Sequence, residues 1–206
     1  MWLAYACGSA FFAGITAILA KVGIKKIDSN LATAIRTIVV LIFAWIMVRL
    51  TGSYTPIGSI GTRTLIYLTL SGIATGASWL CYFRALQLGD VNKVTPIDKS
   101  STILTILLAC IFFHEGLSLA KIGCVCMIGV GTMLMITRKE DVESNSSDKS
   151  WLMYAILSAV FASLTSILGK IGISGIDSNL GTAIRTSVVL VMIWLMVFVK
   201  NKQSQI

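Results

Sequence analysis

Arg36, Lys21 and Asp98 stand in or at the edges of long apolar runs. An ionisable group in such a setting is costly to bury and is a functional hypothesis by default. Arg36 lies about two turns into its run, with Thr33, Thr37 and Val40 on the same helical face. A guanidinium there can grip a carboxylate or phosphate through two parallel hydrogen bonds; the alternative is that it snorkels to nearby headgroups. Lys21 ends a stripe of Ser9, Ala13 and Ala17 at four-residue spacing. Small residues so spaced mark close helix packing, which would turn Lys21 toward protein or a cavity, although snorkelling explains it more simply. Asp98 shares a face with Ser101 and Thr105, with Thr102 beside them, just past Pro96. Proline frees backbone carbonyls, a feature of substrate-binding helices. Asp98 could therefore bind a proton or a cation, or pair with Arg36 or Lys21. As an interfacial residue of the first turns it would only favour the helix dipole. Trp79 could line an aromatic cavity, whereas Tyr82 and Phe83 fit an interfacial aromatic belt. The candidate substrate-binding set is thus Arg36, Asp98, Lys21, Ser101, Thr105 and Trp79.

Other chemistries are poorly served. His114 is the sole histidine, so neither a multi-histidine metal site nor a Ser-His-Asp triad is available. Cys7, Cys81, Cys110, Cys124 and Cys126 all fall in apolar runs and read as small packing residues, with no disulfide framework or zinc site. No metal, cofactor or enzymatic activity is expected.

The elements that must position these residues are membrane helices. Hydrophobic residues make up 56% of the 206 positions and charged residues 13%, with a mean hydropathy of +0.86. A soluble domain carries about 25% charged residues, so this chain could not solvate a globular surface, and lipid is its solvent. Seven runs reach or approach the roughly 20 residues that a bilayer core requires: 2–20, 31–48, 64–83, 94–113, 117–136, 151–168 and 180–199. The first lacks the basic flank of a signal peptide and reads as a retained helix. Asp28-Ser29-Asn30 precedes the second run and supplies an N-cap. Residues 138–150, rich in charge, Ser and Asn, read as a linker on a membrane surface.

That linker separates two copies of one sequence. Residues 5–48 align without gaps onto 154–197, and about 28 of the 44 positions are identical. The shared positions include Lys21 and Lys170, the polar Asp-Ser-Asn triplet, and Arg36 and Arg185. Apolar helices that merely look alike would not share those. The unit holds five helices, an odd number, so the second copy must enter the membrane upside down. Inverted repeats are a recurrent transporter architecture, with substrate sites near the midplane. Lys and Arg test the inversion: about 11 fall on the side of the loop around Lys25 and 4 on the side of the N-terminus. The positive-inside rule then places Lys25 in the cytoplasm and the N-terminus outside. Lys25-Lys26 is replaced by Ser174-Gly175 in the second copy, where inversion puts that loop outside. The net charge of +8 is thereby explained by cytoplasmic loops, with no need for a nucleic-acid partner.

A lysine ending the first helix, an arginine in the second, Ala85-Leu86-Gln87-Leu88-Gly89-Asp90 before the fourth and Phe112-Phe113-His114-Glu115 after it resemble the EamA domain of the drug/metabolite transporter superfamily. The resemblance implies an all-α integral membrane protein with about seven transmembrane helices: an EamA-like five-helix domain over 1–137, the linker over 138–150, and a partial, inverted second repeat of two helices over 151–206. It also implies transport of small metabolites across the inner, or plasma, membrane by alternating access. Its small multidrug exporters use a Glu in the first helix; residues 2–20 contain no acid, so their mechanism is not expected. A five-helix unit leaves its repeat-facing surface only partly covered by two helices, and a homodimer is expected. The competing reading is a non-transporting truncated partner subunit that associates with an intact paralogue.

Overall fold

The computed structural model describes residues 2–24, 28–54, 60–113, 116, 118–137 and 150–199. These residues form helices α1 (Trp2–Gly23), α2 (Ser29–Leu50), α3 (Thr62–Leu88), α4 (Val91–Lys99), α5 (Ser101–Phe113), α6 (Leu119–Thr137), α7 (Ser150–Gly172) and α8 (Ser178–Val199). A helix satisfies its backbone polar groups internally, which hydrocarbon demands. Among the described residues six traverses are long and apolar enough to cross a membrane, α4 and α5 counting as one over Val91–Phe113, and α6 adds the shorter apolar stretch Leu119–Leu134. The protein is an all-α, multi-pass membrane protein. Most of the expected linker lies outside the described residues, as do Lys25, Lys26, Lys139, His114 and Glu115.

Asp caps and hydroxyls settle the polar groups at helix ends and inside the helices. Asp28 accepts from the Asn30 N–H at 2.9 Å at the start of α2, and its repeat counterpart Asp177 accepts from the Asn179 N–H at 2.8 Å before α8. The Asn179 N–H, with help from the Ser53 hydroxyl, holds the Asp177 carboxyl below the usual carboxylate range. Within the helices, Thr33, Thr37, Thr75 and Thr105 each donate to the carbonyl four residues back, at 2.7 to 2.9 Å. That contact removes an unpaired hydroxyl from an apolar medium.

The expected single helix over 94–113 is broken at Ser100 into α4 and α5. Pro96 has no N–H to give to the turn before it. The Ser100 N–H is shared between the Pro96 and Ile97 carbonyls at 2.9 and 3.2 Å, and its hydroxyl donates to Ile97 at 2.6 Å. The break lies directly after Asp98 and Lys99.

The second copy packs on the first, α7 along α3, α4 and α5, and α8 against α2 and α3. Glycines allow this approach. A Cβ on Gly72 would lie 2.8 Å from Val188 Cβ and 2.9 Å from the Arg185 carbonyl oxygen, and one on Gly76 would lie 2.5 Å from Met192 Cε. The Gly72–Gly76 pair is thus a helix-packing device. The stripe that ends at Lys21 behaves otherwise: Ser9 and Ala13 are exposed and only Ala17 is buried. In α7 the same stripe has Ser158 fully buried against α3. With α3 occupied by α7, α1 packs only lightly on α4 and α3, and most of its small residues are exposed. The cysteines also depart from expectation, since Cys7, Cys124 and Cys126 are exposed. They sit on exposed faces of α1 and α6.

Candidate functional site

A cavity of about 220 Å³ lies among α1, α2, α3, α7 and the α4–α5 break. Arg36 enters from α2, about 10 Å along the helix from its first residue, and Asp98, Lys99 and Ser101 enter from around the break. Trp79, Tyr82 and Phe83 of α3 form the aromatic wall, Ala13, Thr16, Ala17 and Ala20 line the α1 side, and Ser78 and Ala162 close it toward α7. The cavity draws on the C-terminal halves of α1 and α3 and on the N-terminal half of α2.

The guanidinium of Arg36 stacks on the aromatic wall, its Cζ 4.6 Å from the Trp79 ring centroid and 5.5 Å from that of Phe83. Such contacts are electrostatic attraction to the π faces and strengthen where water is scarce. They leave the planar edge of the guanidinium, with its parallel N–H groups, for a ligand. The structure thus places Arg36 on the wall of a protein cavity. Tyr82 is fixed through its hydroxyl, 3.3 Å from Thr95 Oγ1 on α4.

Asp98 is 8% exposed and is held from two sides. Ser158 of α7 donates to its Oδ1 at 2.6 Å, and Lys99 Nζ lies 3.4 Å from Oδ2. The Lys99 side chain is largely exposed, so this ion pair is weak and the short Ser158 contact is the firmer one. Ser78 in turn donates to the Ser158 carbonyl at 3.1 Å. The cavity therefore offers a guanidinium on one wall and the Asp98 carboxyl group on another. It can bind a small molecule bearing both charges, or an anion at Arg36 alone.

Of the six sequence candidates, the structure brings Arg36, Asp98, Ser101 and Trp79 into one cavity. Thr105 lies one turn beyond, donating to the Ser101 carbonyl at 2.9 Å. Lys21 stands apart from the cavity: its ammonium donates to the Leu86 carbonyl and, at 2.5 Å, to that of Gly89. Those carbonyls end α3, and a cation there satisfies orphan acceptors and meets the negative end of the helix dipole. Sequence reasoning assigned Tyr82 and Phe83 to the interfacial belt. Phe83 is 2% exposed and both line the cavity. The available signal was their i+3 and i+4 spacing from Trp79, which puts all three on one face. Ser158 and Ala162 were missed because their role depends on how α7 docks, which no spacing within α7 reveals.

Helices long and apolar enough to span a membrane, enclosing a charged, aromatic-walled cavity, define a polytopic membrane protein. The chain belongs to the EamA-like transporter family, whose model matches residues 1–137. It is similar to an uncharacterized transporter in the cobO 3′ region of a Sinorhizobium species, 44% identical over 134 residues, which are 65% of this chain and 95% of that relative. It is also similar to the uncharacterized transporter YxxF of Bacillus subtilis (strain 168), 22% identical over 131 residues, 64% of this chain and 42% of that protein. The match thus spans nearly the whole of one relative and under half of the other. No solved structure matches the chain at a significant level. Membership makes this a transporter of the drug/metabolite type.

Proposed function

We propose that the chain moves a small zwitterionic or anionic metabolite across the cell membrane by alternating access, without covalent chemistry. The observation that carries this reading is the Arg36 guanidinium stacked on Trp79 and Phe83 in the cavity that also holds the buried Asp98. Arg36 binds a carboxylate through its two parallel donors, and Asp98 receives an ammonium group. Ser158 and Ala162 make the second copy part of the site, which favours transport by this chain over a non-transporting partner role. Thermal unfolding in detergent with candidate metabolites tests the binding half. Stabilisation by zwitterions or carboxylates, lost in Arg36→Gln, is expected; stabilisation by cations alone would contradict it.

In this reading the N-terminus is outside and the cavity lies in the cytoplasmic half of the membrane. Single cysteines placed at Lys25 and Ser174, in a background without native cysteines, report the orientation through an impermeant reagent. Position 174 alone should label in intact cells. The reverse pattern contradicts the orientation, and equal labelling means dual topology.

A homodimer is the proposed assembly, joined through α1, which is largely exposed while its repeat counterpart α7 is packed on α3. Native mass spectrometry in mild detergent should give twice the 22.2 kDa chain mass; a monomer that still transports would rule the dimer out.

A further inference from the structure

We propose that the C-terminal end of α2 holds one anionic phospholipid, with its phosphate on Arg49 and the top of an acyl chain against Trp45 and Tyr54. A pocket of about 390 Å³ opens there, lined by Trp45, Val48, Arg49, Gly52 and Tyr54, within the size range of clefts that take small ligands. Arg49 lies about 30 Å along the helix from Ser29, which is the thickness of a hydrocarbon core. A helix that starts at one boundary therefore delivers this guanidinium to the headgroups of the far leaflet. Trp and Tyr, with rings part apolar and part polar, suit that same level. The Trp45 wall is built in, since Trp45 packs against the buried cluster of Val48, Ile60, Leu180 and Ala183.

Arg49 is exposed, and among the described residues it forms no ion pair and no side-chain hydrogen bond. Lys21, by contrast, is taken up by the carbonyls that end α3. The last carbonyls of α2 need no such cation. Met47 accepts from the Thr51 N–H at 2.9 Å and from the Thr51 hydroxyl at 2.8 Å, and Val48 accepts from the Ser53 N–H at 3.1 Å. Gly52 permits that turn with a φ of +64°, and a Cβ on it would meet no atom within 4 Å, so it borders open space. The helix dipole favours a cation at this end, which accounts for the sign of the charge and not for the pocket beside it. No acid lines the pocket among the described residues. A guanidinium so placed can take two phosphate oxygens through parallel hydrogen bonds, and it favours a headgroup of net negative charge over one whose choline cancels that charge. Arg63, at the start of α3 on the same end of the bundle, is the contrast: its guanidinium rests 5.8 Å from the Tyr67 ring centroid, outside this pocket. The site does not depend on what the Arg36 cavity carries.

The test uses the full chain, purified in mild detergent and equilibrated with mixed micelles of phosphatidylglycerol and phosphatidylcholine. Native mass spectrometry reads which lipid stays on the protein. The wild type should retain one phosphatidylglycerol in preference to phosphatidylcholine. Arg49→Gln should cut that preference about fivefold, the effect of one basic residue at a membrane surface, and Tyr54→Ala should weaken retention of both lipids several-fold. Arg63→Gln and Arg36→Gln should change neither. Arg49 and Tyr54 are both exposed, so these variants leave the core intact. The proposal is overturned if the wild type retains no lipid or both lipids equally, if the preference survives Arg49→Gln, or if retention survives Tyr54→Ala. An equal loss in Arg63→Gln also overturns it, because the lipid would then be answering to the general charge of that end. Loss in Arg36→Gln alone does so too, by putting the lipid in the other cavity.

Discussion

Replacing Arg36 by lysine should reduce transport roughly ten- to hundredfold, the loss of one or two charge-assisted hydrogen bonds, while membrane abundance stays near wild type. Lysine keeps the charge and the reach. It loses the planar fork that grips a carboxylate and the flat face that stacks on Trp79 and Phe83 at 4.6 and 5.5 Å. Arg36→Gln should do at least as much harm, because it removes the charge as well. Uptake into vesicles, normalised to the protein present, checks both variants. Wild-type transport by the lysine variant would reduce Arg36 to an anchor. Failure of both variants to accumulate would make it a structural residue, because the aromatic stack would then be holding α2 to α3.

Asp98→Asn should cost roughly tenfold or more in transport of a substrate bearing an ammonium group, with little loss of stability. The amide oxygen of asparagine can still accept from Ser158, now at 2.6 Å from Oδ1, so the tie between α4 and α7 survives while the charge does not. Asp98→Ala removes the tie too, leaving the buried Ser158 hydroxyl without its carboxylate, and should lower stability by about 1–3 kcal/mol. Uptake and thermal unfolding of the two variants separate charge from packing. An Asn variant that carries zwitterions as well as wild type would remove Asp98 from the binding role.

The sequence showed the membrane class, the repeat and the caps plainly, because each rests on local pattern. Asp28 and Asp177 cap their helices in the structure as the triplet predicted. The four-residue spacing of Gly72 and Gly76 suits a close helix approach, and it is α8 that fills it. What was hidden depends on tertiary choice. Lys21 and Lys170 occupy equivalent positions in nearly the same sequence, yet one closes the end of α3 and the other faces Phe113 and a pocket. The two stripes of small residues are alike in sequence, and α7 rather than α1 took α3. Phe83 was assigned to the belt because an aromatic near a helix end is usually there; burial against α2 and α4 overrode that preference.

In the proposed function the Arg36–Asp98 cavity carries a small charged metabolite across the membrane. Uptake of a labelled panel of zwitterionic, anionic and cationic metabolites by proteoliposomes containing the full chain tests it most directly. Accumulation of one or more zwitterions or carboxylates is expected, and its loss in Arg36→Lys. Accumulation of cations only, or uptake that Arg36→Gln leaves unchanged, would contradict it.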